Sequence, residues 1–271
     1  MRILQLLNGV VKFIAVFLLF LVFFSSVIVI SMLFIFSTRA SKRLIVSGLI
    51  RLFAIGLVKI INIRVKVSGN KIQKKDVGLF LVSNHLSYCD GFIIGSIFPI
   101  IYVGKAELKH WPLIGLMSDF SGTLFIDRSR RNHVSEYIDS IAETLKGGAN
   151  VLFFPEGTST CGDELLPFKP SFFEAALNAG APIVALSLIY RSIDGEPVDQ
   201  KNRDKVYWYG EMTFFDHFFR LLCCRGLEAD VKIHPMVNSV FRDENLSRKS
   251  VCESAYGAIL SDIKESRGQY A

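Results

Sequence analysis

One short segment of the sequence combines side chains that can move a proton. Residues 83–91 read SNHLSYCDG, between two apolar runs. His85 and Asp90 are five residues apart, about 140° around an ideal helix, so a continuous helix would not pair them. A turn followed by a helix start would, with Asp90 accepting from one ring nitrogen and the other nitrogen left to take a proton from a hydroxyl. Taken alone, such a pair is more often structural than catalytic.

Further polar groups follow other apolar runs. The run 122–128 ends in a charge pair, and its Arg128 suits either a two-pronged contact with a phosphate or an ordinary salt bridge. The run 151–159 enters a polar turn, Glu156-Gly157-Thr158-Ser159, whose backbone N–H groups suit an anion or simply close the turn. Lys169 lies just before a predicted helix, and on its own it is typical of a solvated surface charge.

Several common catalytic signatures are missing from the sequence. Neither G-x-x-x-x-G-K-[ST] nor G-x-G-x-x-G occurs, which excludes the usual nucleotide phosphate loops. Residues 157–161 read GTSTC, so the last position of a G-x-S-x-G nucleophile elbow is a cysteine. No cluster of Cys or His has zinc-ligand spacing, and no metal is predicted. A serine hydrolase and a metalloenzyme are therefore both disfavoured.

Taken in order, these segments resemble the four blocks of the glycerolipid acyltransferase family, which includes the lysophosphatidic acid acyltransferases. Asn84-His85 with Asp90 matches the N-H-x-x-x-x-D motif of that family. The runs 122–128, 154–159 and 181–186 match its G-x-x-F-I-D-R block, its F-P-E-G-T-[RS] block and its Pro-containing strand, and the run 105–115 resembles its K-x-E-L…P-x-x-G stretch. The agreement covers about residues 78–190. One departure is Ser171, where the family often has glycine two residues after the lysine.

The resemblance implies a membrane enzyme that moves a fatty acyl group from acyl-CoA or acyl carrier protein to a lysophospholipid hydroxyl, without a cofactor. The favoured acceptor is 1-acylglycerol-3-phosphate, and another lysolipid such as lyso-ornithine lipid is the alternative. His85 would be the general base and Asp90 would orient it. The residues implied to bind substrate are Asn84, Lys105, Arg128, Glu156, Gly157, Thr158, Ser159 and Lys169. A non-catalytic lipid-binding protein and a lipid hydrolase are weaker alternatives.

Charge is distributed unevenly along the 271 residues, of which 51% are apolar. Residues 1–75 contain twelve Lys and Arg and no Asp or Glu, whereas the remainder carries 19 bases and 25 acids. The basic part is also the most apolar part, which indicates an anionic membrane surface rather than nucleic acid as a partner. Five scattered cysteines are atypical of a disulfide-stapled secreted fold.

An uncharged stretch of 26 residues, 13–38, predicts an uncleaved membrane helix. Its helical length of about 39 Å exceeds the roughly 30 Å hydrocarbon core, and no signal-peptide cleavage site follows. A second apolar stretch, residues 44–61, contains Arg51 and Lys59, so it either spans the membrane or lies at its surface as part of a hairpin in one leaflet. The cations after the first stretch favour a cytoplasmic position for the part of the chain that follows it. The expected location is the bacterial inner membrane, with the catalytic domain facing the cytoplasm.

From about residue 63 short apolar runs alternate with helical patterns. This alternation predicts an α/β fold with a mostly parallel central sheet flanked by helices. Residues 1–66 would form the membrane anchor and residues 67–271 the acyltransferase domain. The predicted strands cover residues 63–67, 78–82, 100–103, 122–126, 151–154, 183–188 and 229–234, and the predicted helices cover residues 134–145, 171–179 and 248–266.

Overall fold

The computed structural model describes residues 2–34, 36–72, 76–110, 115, 122–127, 131–240 and 246–268. Its longer helices are α1 (Arg2–Leu33), α2 (Arg39–Ile61), α3 (Cys89–Ile97), α4 (Val134–Lys146), α5 (Phe173–Ala179), α6 (Phe214–Cys223) and α7 (Arg248–Gly268). Its strands are β1 (Ile63–Gly69), β2 (Phe80–Ser83), β3 (Ile100–Lys105), β4 (Leu124–Ile126), β5 (Asn150–Phe153), β6 (Ile183–Ile193), β7 (Glu196–Pro197) and β8 (Leu227–Met236).

The strands join in one mixed sheet with the order β1-β8-β6-β2-β5-β3-β4, and β7 pairs with β6. Strands β6, β2, β5, β3 and β4 run parallel to one another, whereas β8 is antiparallel to β6 and parallel to β1. The predicted α/β fold with a mostly parallel sheet is thus confirmed. The parallel strands share one carboxyl edge, which is where open α/β sheets bind their ligands.

Alternating side chains of the central strand β2 divide the interior into two cores. Leu81 belongs to the core beneath α1, α2, α3 and α6, whereas Phe80 and Val82 belong to the core beneath α4, α5 and α7. This is the period of two that a strand buried on both faces requires. The sheet therefore separates the N-terminal helix pair from the helices α4, α5 and α7.

Several element boundaries differ from the sequence prediction for local reasons. Strands β2 and β4 begin two residues later than predicted because Gly78 and Gly122 adopt a positive φ of 68°, which ends strand geometry. Strand β6 runs on to Ile193, since its second half pairs with β8. The predicted helix at 171–179 begins with a 3₁₀ turn, and the α-helix starts at Phe173.

The first N-terminal helix also has other bounds than predicted. Helix α1 begins at Arg2 and ends at Leu33, whereas the predicted membrane helix covers residues 13–38. Lys12 does not interrupt the helix, because its buried Nζ donates to the carbonyl oxygens of Ile61 (2.9 Å) and Cys224 (2.7 Å). A buried cation whose hydrogen bonds are satisfied by the protein is compatible with an otherwise apolar helix.

Helices α1 and α2 are both long and apolar enough to cross a membrane. Helix α2 nevertheless touches the α/β domain at both ends. Near its start, a Cβ added to Gly147 would lie 3.4 Å from Ala40, and just after its end Asn62 donates to the carbonyl oxygen of Arg225 at 2.8 Å. The helix pair therefore packs along the domain, and the boundary predicted at residue 66 falls inside β1.

Candidate active site

The loop between β2 and α3 brings His85 and Asp90 into contact. The Nδ1 of His85 lies 2.9 Å from the Oδ2 of Asp90, which is fully buried in the first turn of α3. The same oxygen accepts the backbone N–H groups of Leu86 (2.6 Å) and Ser87 (2.8 Å). The helix N-terminus also favours a negative charge at this position. The arrangement is the turn and helix start that the spacing of the two residues requires.

The imidazole ring of His85 is held in a defined plane. It stacks on the ring of Phe154, with centroids 4.0 Å apart and 13° between the planes. The His85 side chain remains 20% exposed, and no other described side chain hydrogen bonds to its ring. The ring is thus fixed by Asp90 on one nitrogen and by Phe154 on one face.

A tyrosine that the sequence analysis did not single out completes the surroundings of Asp90. Tyr190, in β6, is buried, and its hydroxyl donates to the Oδ1 of Asp90 at 2.7 Å. Burial, and then the neighbouring Asp90 charge, raise the pKa of Tyr190, so the phenol stays protonated. Because the two residues are 100 positions apart, no local spacing in the sequence could indicate this contact.

The predicted substrate contact Asn84 has another role in the structure. Its buried side-chain amide donates to the carbonyl oxygen of Leu188 and accepts the backbone N–H of Leu188, both at 2.9 Å. These contacts tie the end of β2 to the middle of β6. Asn84 therefore positions the end of β2, and its predicted contact with substrate stays a prediction.

Glu156 is likewise hydrogen bonded within the protein, and its predicted contact with substrate stays a prediction. Its buried carboxylate accepts the backbone N–H of His85 at 2.7 Å with Oε1 and that of Leu166 at 3.0 Å with Oε2. Burial raises its pKa to about 7, against the lowering effect of the two backbone hydrogen bonds and with a further raising effect of the Asp90 charge. The carboxyl group braces the catalytic loop against the loop that follows β5.

The remaining residues of the turn after β5 differ in exposure. Gly157 is buried at a φ of 81°, a conformation that favours glycine, and its N–H donates to the carbonyl oxygen of Phe154 at 3.0 Å. That N–H is therefore not available to a substrate. Thr158 is exposed and Ser159 is buried. Of the four predicted contacts in this turn, Thr158 is the one whose side chain is open to solvent.

Two of the three predicted cations, Lys105 and Lys169, lie within the described residues. Lys105 is exposed at the end of β3, where it pairs in register with Ile126 of β4. Lys169 is exposed as well, and its backbone N–H donates to the carbonyl oxygen of Pro155 at 3.1 Å. Arg128 lies outside the described residues, two positions after the end of β4. The end of β4, at Ile126, lies at the same sheet edge as Lys105.

Comparison with known proteins places the chain in a family. A family model described as Acyltransferase matches residues 64–189. The chain is 33% identical over 196 residues to a lyso-ornithine lipid O-acyltransferase of Pseudomonas aeruginosa, with 72% of this chain and 70% of the relative covered. This chain belongs to the acyltransferase family. It is an O-acyltransferase.

Two further comparisons agree with this acyltransferase assignment. A 1-acyl-sn-glycerol-3-phosphate acyltransferase of Neisseria gonorrhoeae is 28% identical over 194 residues, covering 72% of this chain and 74% of the relative. The crystal structure of the 1-acyl-sn-glycerophosphate acyltransferase PlsC from Thermotoga maritima superposes with a TM-score of 0.68 at 19% identity, over 98% of this chain and 97% of that one. The second likeness shows that the fold, including the N-terminal helix pair, is shared.

Proposed function

We propose that this acyltransferase moves a fatty acyl group from acyl-CoA or acyl carrier protein to the free hydroxyl of 1-acylglycerol-3-phosphate, which gives phosphatidic acid. The observation that carries the proposal is the His85–Asp90 pair, in which Asp90 engages Nδ1 while the ring stays partly exposed. Direct transfer from a thioester needs a general base of this kind and calls for no cofactor. The lysolipid acyltransferases among the relatives support the substrate class.

The protonation state of the His85 ring follows from its neighbours. An ionised Asp90 offers only acceptors, so the contact at 2.9 Å requires a proton on Nδ1. The lone pair of a neutral ring then lies on Nε2, which is the nitrogen that acts as the base. When Nε2 takes a proton, the buried carboxylate of Asp90 stabilises the imidazolium ion.

The reaction is a two-step acyl transfer without an acyl-enzyme. Nε2 of His85 takes the proton of the acceptor hydroxyl while that oxygen bonds to the thioester carbonyl carbon. The tetrahedral intermediate then loses the thiolate as the C–S bond breaks, and the imidazolium returns the proton to sulfur. General base catalysis of this kind contributes about 10²–10⁴-fold.

The helix pair supports a place for this reaction at a membrane surface. Large apolar side chains are exposed along α1 from Ile3 to Leu33, although the helix packs on the domain. Because α2 touches the domain at both ends, the hairpin fits one leaflet better than two membrane crossings. We place the enzyme on the cytoplasmic face of the bacterial inner membrane, where acyl chains stay in lipid while the polar groups react.

Two lysolipids with different head groups are candidates for the acceptor. Lysophosphatidate carries a phosphate monoester, which suits two cations: Lys105 at the end of β3, and Arg128, which follows β4 in the sequence. Lyso-ornithine lipid is the second candidate, because the 33% identical relative bears that name. Arg128→Ala should raise the KM for lysophosphatidate about tenfold, as expected for one lost charge-assisted contact, and change the KM for lyso-ornithine lipid much less.

One assay tests the whole proposal. The purified full chain in lipid vesicles receives radiolabelled acyl-CoA, or acyl carrier protein loaded with the same chain, and either lysolipid. We expect labelled phosphatidic acid as the main product, formed by His85→Ala at no more than about a hundredth of the wild-type rate. Labelled free fatty acid without lipid product would indicate a hydrolase. Faster acylation of lyso-ornithine lipid than of lysophosphatidate would show that lyso-ornithine lipid is the preferred acceptor.

A further inference from the structure

Helix α6 combines an unusual aromatic content with a clear division into two sides. It reads FFDHFFRLLC and buries His217, Leu221 and Leu222. Phe215, by contrast, is 67% exposed, and Phe219 is partly exposed one turn further on. Exposing a phenylalanine to water is unfavourable, so an exposed pair of this kind is typical of a surface that meets a partner.

The exposed side of α6 leads directly to α1. Phe215, Phe219 and Cys223 follow one another at intervals of four residues, which places them on one side of the helix. Cys223 meets Gly9 of α1 so closely that a Cβ there would lie 2.5 Å from its Sγ. The neighbouring exposed residues of α1 are all apolar: Ile3, Leu4, Leu6, Leu7, Val10 and Val11. The side of α6 that carries Phe215 and Phe219 therefore leads to the exposed apolar part of α1, and the exposed charges of α6, Asp216 and Arg220, flank it.

The buried side of α6 is bound to the catalytic loop. The Nε2 of His217 lies 2.9 Å from the carbonyl oxygen of Tyr207, so Nε2 carries the proton and Nδ1 accepts the hydroxyl of Tyr88 at 2.8 Å. Burial lowers the pKa of His217, which keeps this neutral form. The ring of Tyr88 also packs edge-on against Phe214, with centroids 5.2 Å apart. Tyr88 lies between the two residues of the catalytic pair.

We propose that α6 is a third membrane-contacting helix, whose Phe215 and Phe219 enter the boundary between head groups and acyl chains of the leaflet that holds α1. The partner is the lipid bilayer, because the aromatic pair continues the apolar surface of α1. Through Tyr88 and His217, this contact sets the depth of His85 relative to the lysolipid hydroxyl. The inference rests on the proposed membrane-bound function and adds a membrane contact outside the helix pair.

Fluorescence quenching locates this surface without any assay of activity. Phe215→Trp and a matched control, Glu253→Trp on the exposed side of α7 across the sheet, are bound to vesicles of phosphatidylcholine and phosphatidylglycerol with or without brominated acyl chains. The signal of the native Trp111 and Trp208, measured in the wild type, is subtracted. We expect bromine to quench Phe215→Trp much more strongly than Glu253→Trp, as for a side chain about 5–10 Å into the interface.

Two results would overturn the proposal. One is equal quenching of Phe215→Trp and Glu253→Trp. The other is a blue-shifted emission of Phe215→Trp in dilute detergent together with a dimer in size-exclusion chromatography, which would place a second copy of the chain on this face. Because quenching needs no turnover, it decides the proposal even if the wild type transfers no acyl group, so the two failures stay distinguishable.

Kinetics provide a second measurement. Phe215→Gln should raise the KM for lysolipid presented in vesicles about tenfold and leave kcat nearly unchanged, because one buried aromatic contact with lipid is lost. Phe215→Leu should restore most of the affinity. A fall in kcat that is equal for vesicles and for a short-chain lysolipid dissolved as monomers would show that Phe215 supports only the fold, and would contradict the proposed contact.

Discussion

The part of the chain that the structure describes contains two histidine–aspartate pairs, one on each side of the sheet, and the ring nitrogen that faces the acid differs between them. In the loop before α3, Asp90 engages Nδ1 of His85. In the second pair, the Nε2 of His234 in β8 lies 3.0 Å from the Oδ2 of Asp262 in α7 and 2.8 Å from the Oγ of Ser187 in β6. Two partners thus compete for the nitrogen that a base would need, and the His234 side chain is only 11% exposed.

The two aspartates also differ in the donor that binds their other carboxylate oxygen, Oδ1. The Oδ1 of Asp90 accepts from the neutral hydroxyl of Tyr190 at 2.7 Å, whereas the Oδ1 of Asp262 accepts from the ammonium group of Lys232 at 2.6 Å. A neutral donor leaves the full negative charge of Asp90 to stabilise an imidazolium ion. A cation neutralises Asp262 and makes its cluster a structural clamp between α7 and the sheet. The same residue types therefore serve chemistry or packing according to their second neighbours.

The largest expected effect separates the two histidines. His85→Ala should lower kcat/KM by at least about 10²-fold, the contribution of a general base, while membrane binding and thermal stability stay close to the wild type. His234→Ala should instead leave kcat/KM close to the wild-type value and lower the thermal stability. Initial rates and thermal melts of both variants, measured in the same vesicles, check this contrast. If a well-folded His85→Ala enzyme keeps a tenth of the wild-type turnover, His85 is not the general base.

The next effect concerns the acid of the catalytic pair. Asp90→Asn should lower kcat/KM severely, but by less than His85→Ala, because an amide oxygen still accepts a hydrogen bond while the negative charge is lost. The backbone N–H groups of Leu86 and Ser87 keep the loop in place only if that oxygen takes the position of Oδ2. Single-turnover rates of the wild type, Asp90→Asn and His85→Ala should decrease in that order. Equal losses for both variants would show that the His85 ring is ineffective without the Asp90 charge, and would contradict a residual contribution of the hydrogen bond.

The sequence predicts the local parts of this site better than the non-local ones. The turn and helix start that pair His85 with Asp90 are encoded within six residues, and the apolar runs indicate most strands. What the sequence could not show are contacts between distant segments: Tyr190 on Asp90, Glu156 on the N–H of His85, and Asn84 on Leu188. These three contacts depend on the order of the strands in the sheet, which no local sequence pattern encodes.

The same distinction explains why the N-terminal helix begins earlier than predicted and why the mostly parallel sheet contains an antiparallel pair. Charge alone placed the start of the membrane helix after Lys12, whereas the carbonyl oxygens that accept from this cation belong to residues 61 and 224. Strand β8 pairs antiparallel with β6, although a repeated β–α alternation favours parallel pairing. In both cases a partner distant in sequence determined the outcome.

A smaller effect is expected where the two acids differ in their second donor. Tyr190→Phe removes the neutral hydroxyl from Asp90, which should cost about tenfold in kcat/KM, as for one hydrogen bond to a charged group. The carboxylate, with one donor fewer, should hold the His85 proton more tightly, so the acidic limb of the pH profile of kcat/KM should move to higher pH. A lower rate with an unmoved profile would indicate only a packing role for Tyr190.

Substitution of His234 should have the smallest effect on activity and the largest effect on stability. Burial, and also the Lys232 charge, lower the pKa of His234 although Asp262 opposes them, so the folded chain holds the neutral ring. The unfolded chain contains an ordinary histidine that takes up a proton as the pH falls through about 6.5, and the native state is then disfavoured. His234 therefore contributes stability that is present above this pH and lost below it.

A variant without a titrating ring isolates this contribution. His234→Gln keeps a hydrogen-bonding group, so at pH 8 it should lower the free energy of unfolding by about 1–3 kcal/mol, the cost of an imperfectly satisfied buried site. Between about pH 7 and pH 5 the wild type should lose stability faster than the variant, since only the wild type has a ring that the unfolded state protonates more readily. Acid also acts on the carboxylate, because hydrogen bonds from Lys232 and Ser187 lower the pKa of Asp262 against the effect of burial, but that loss comes at lower pH. Thermal midpoints of both proteins across this range provide the test, and parallel curves would mean that the His234 ring is already accessible to protons in the folded state.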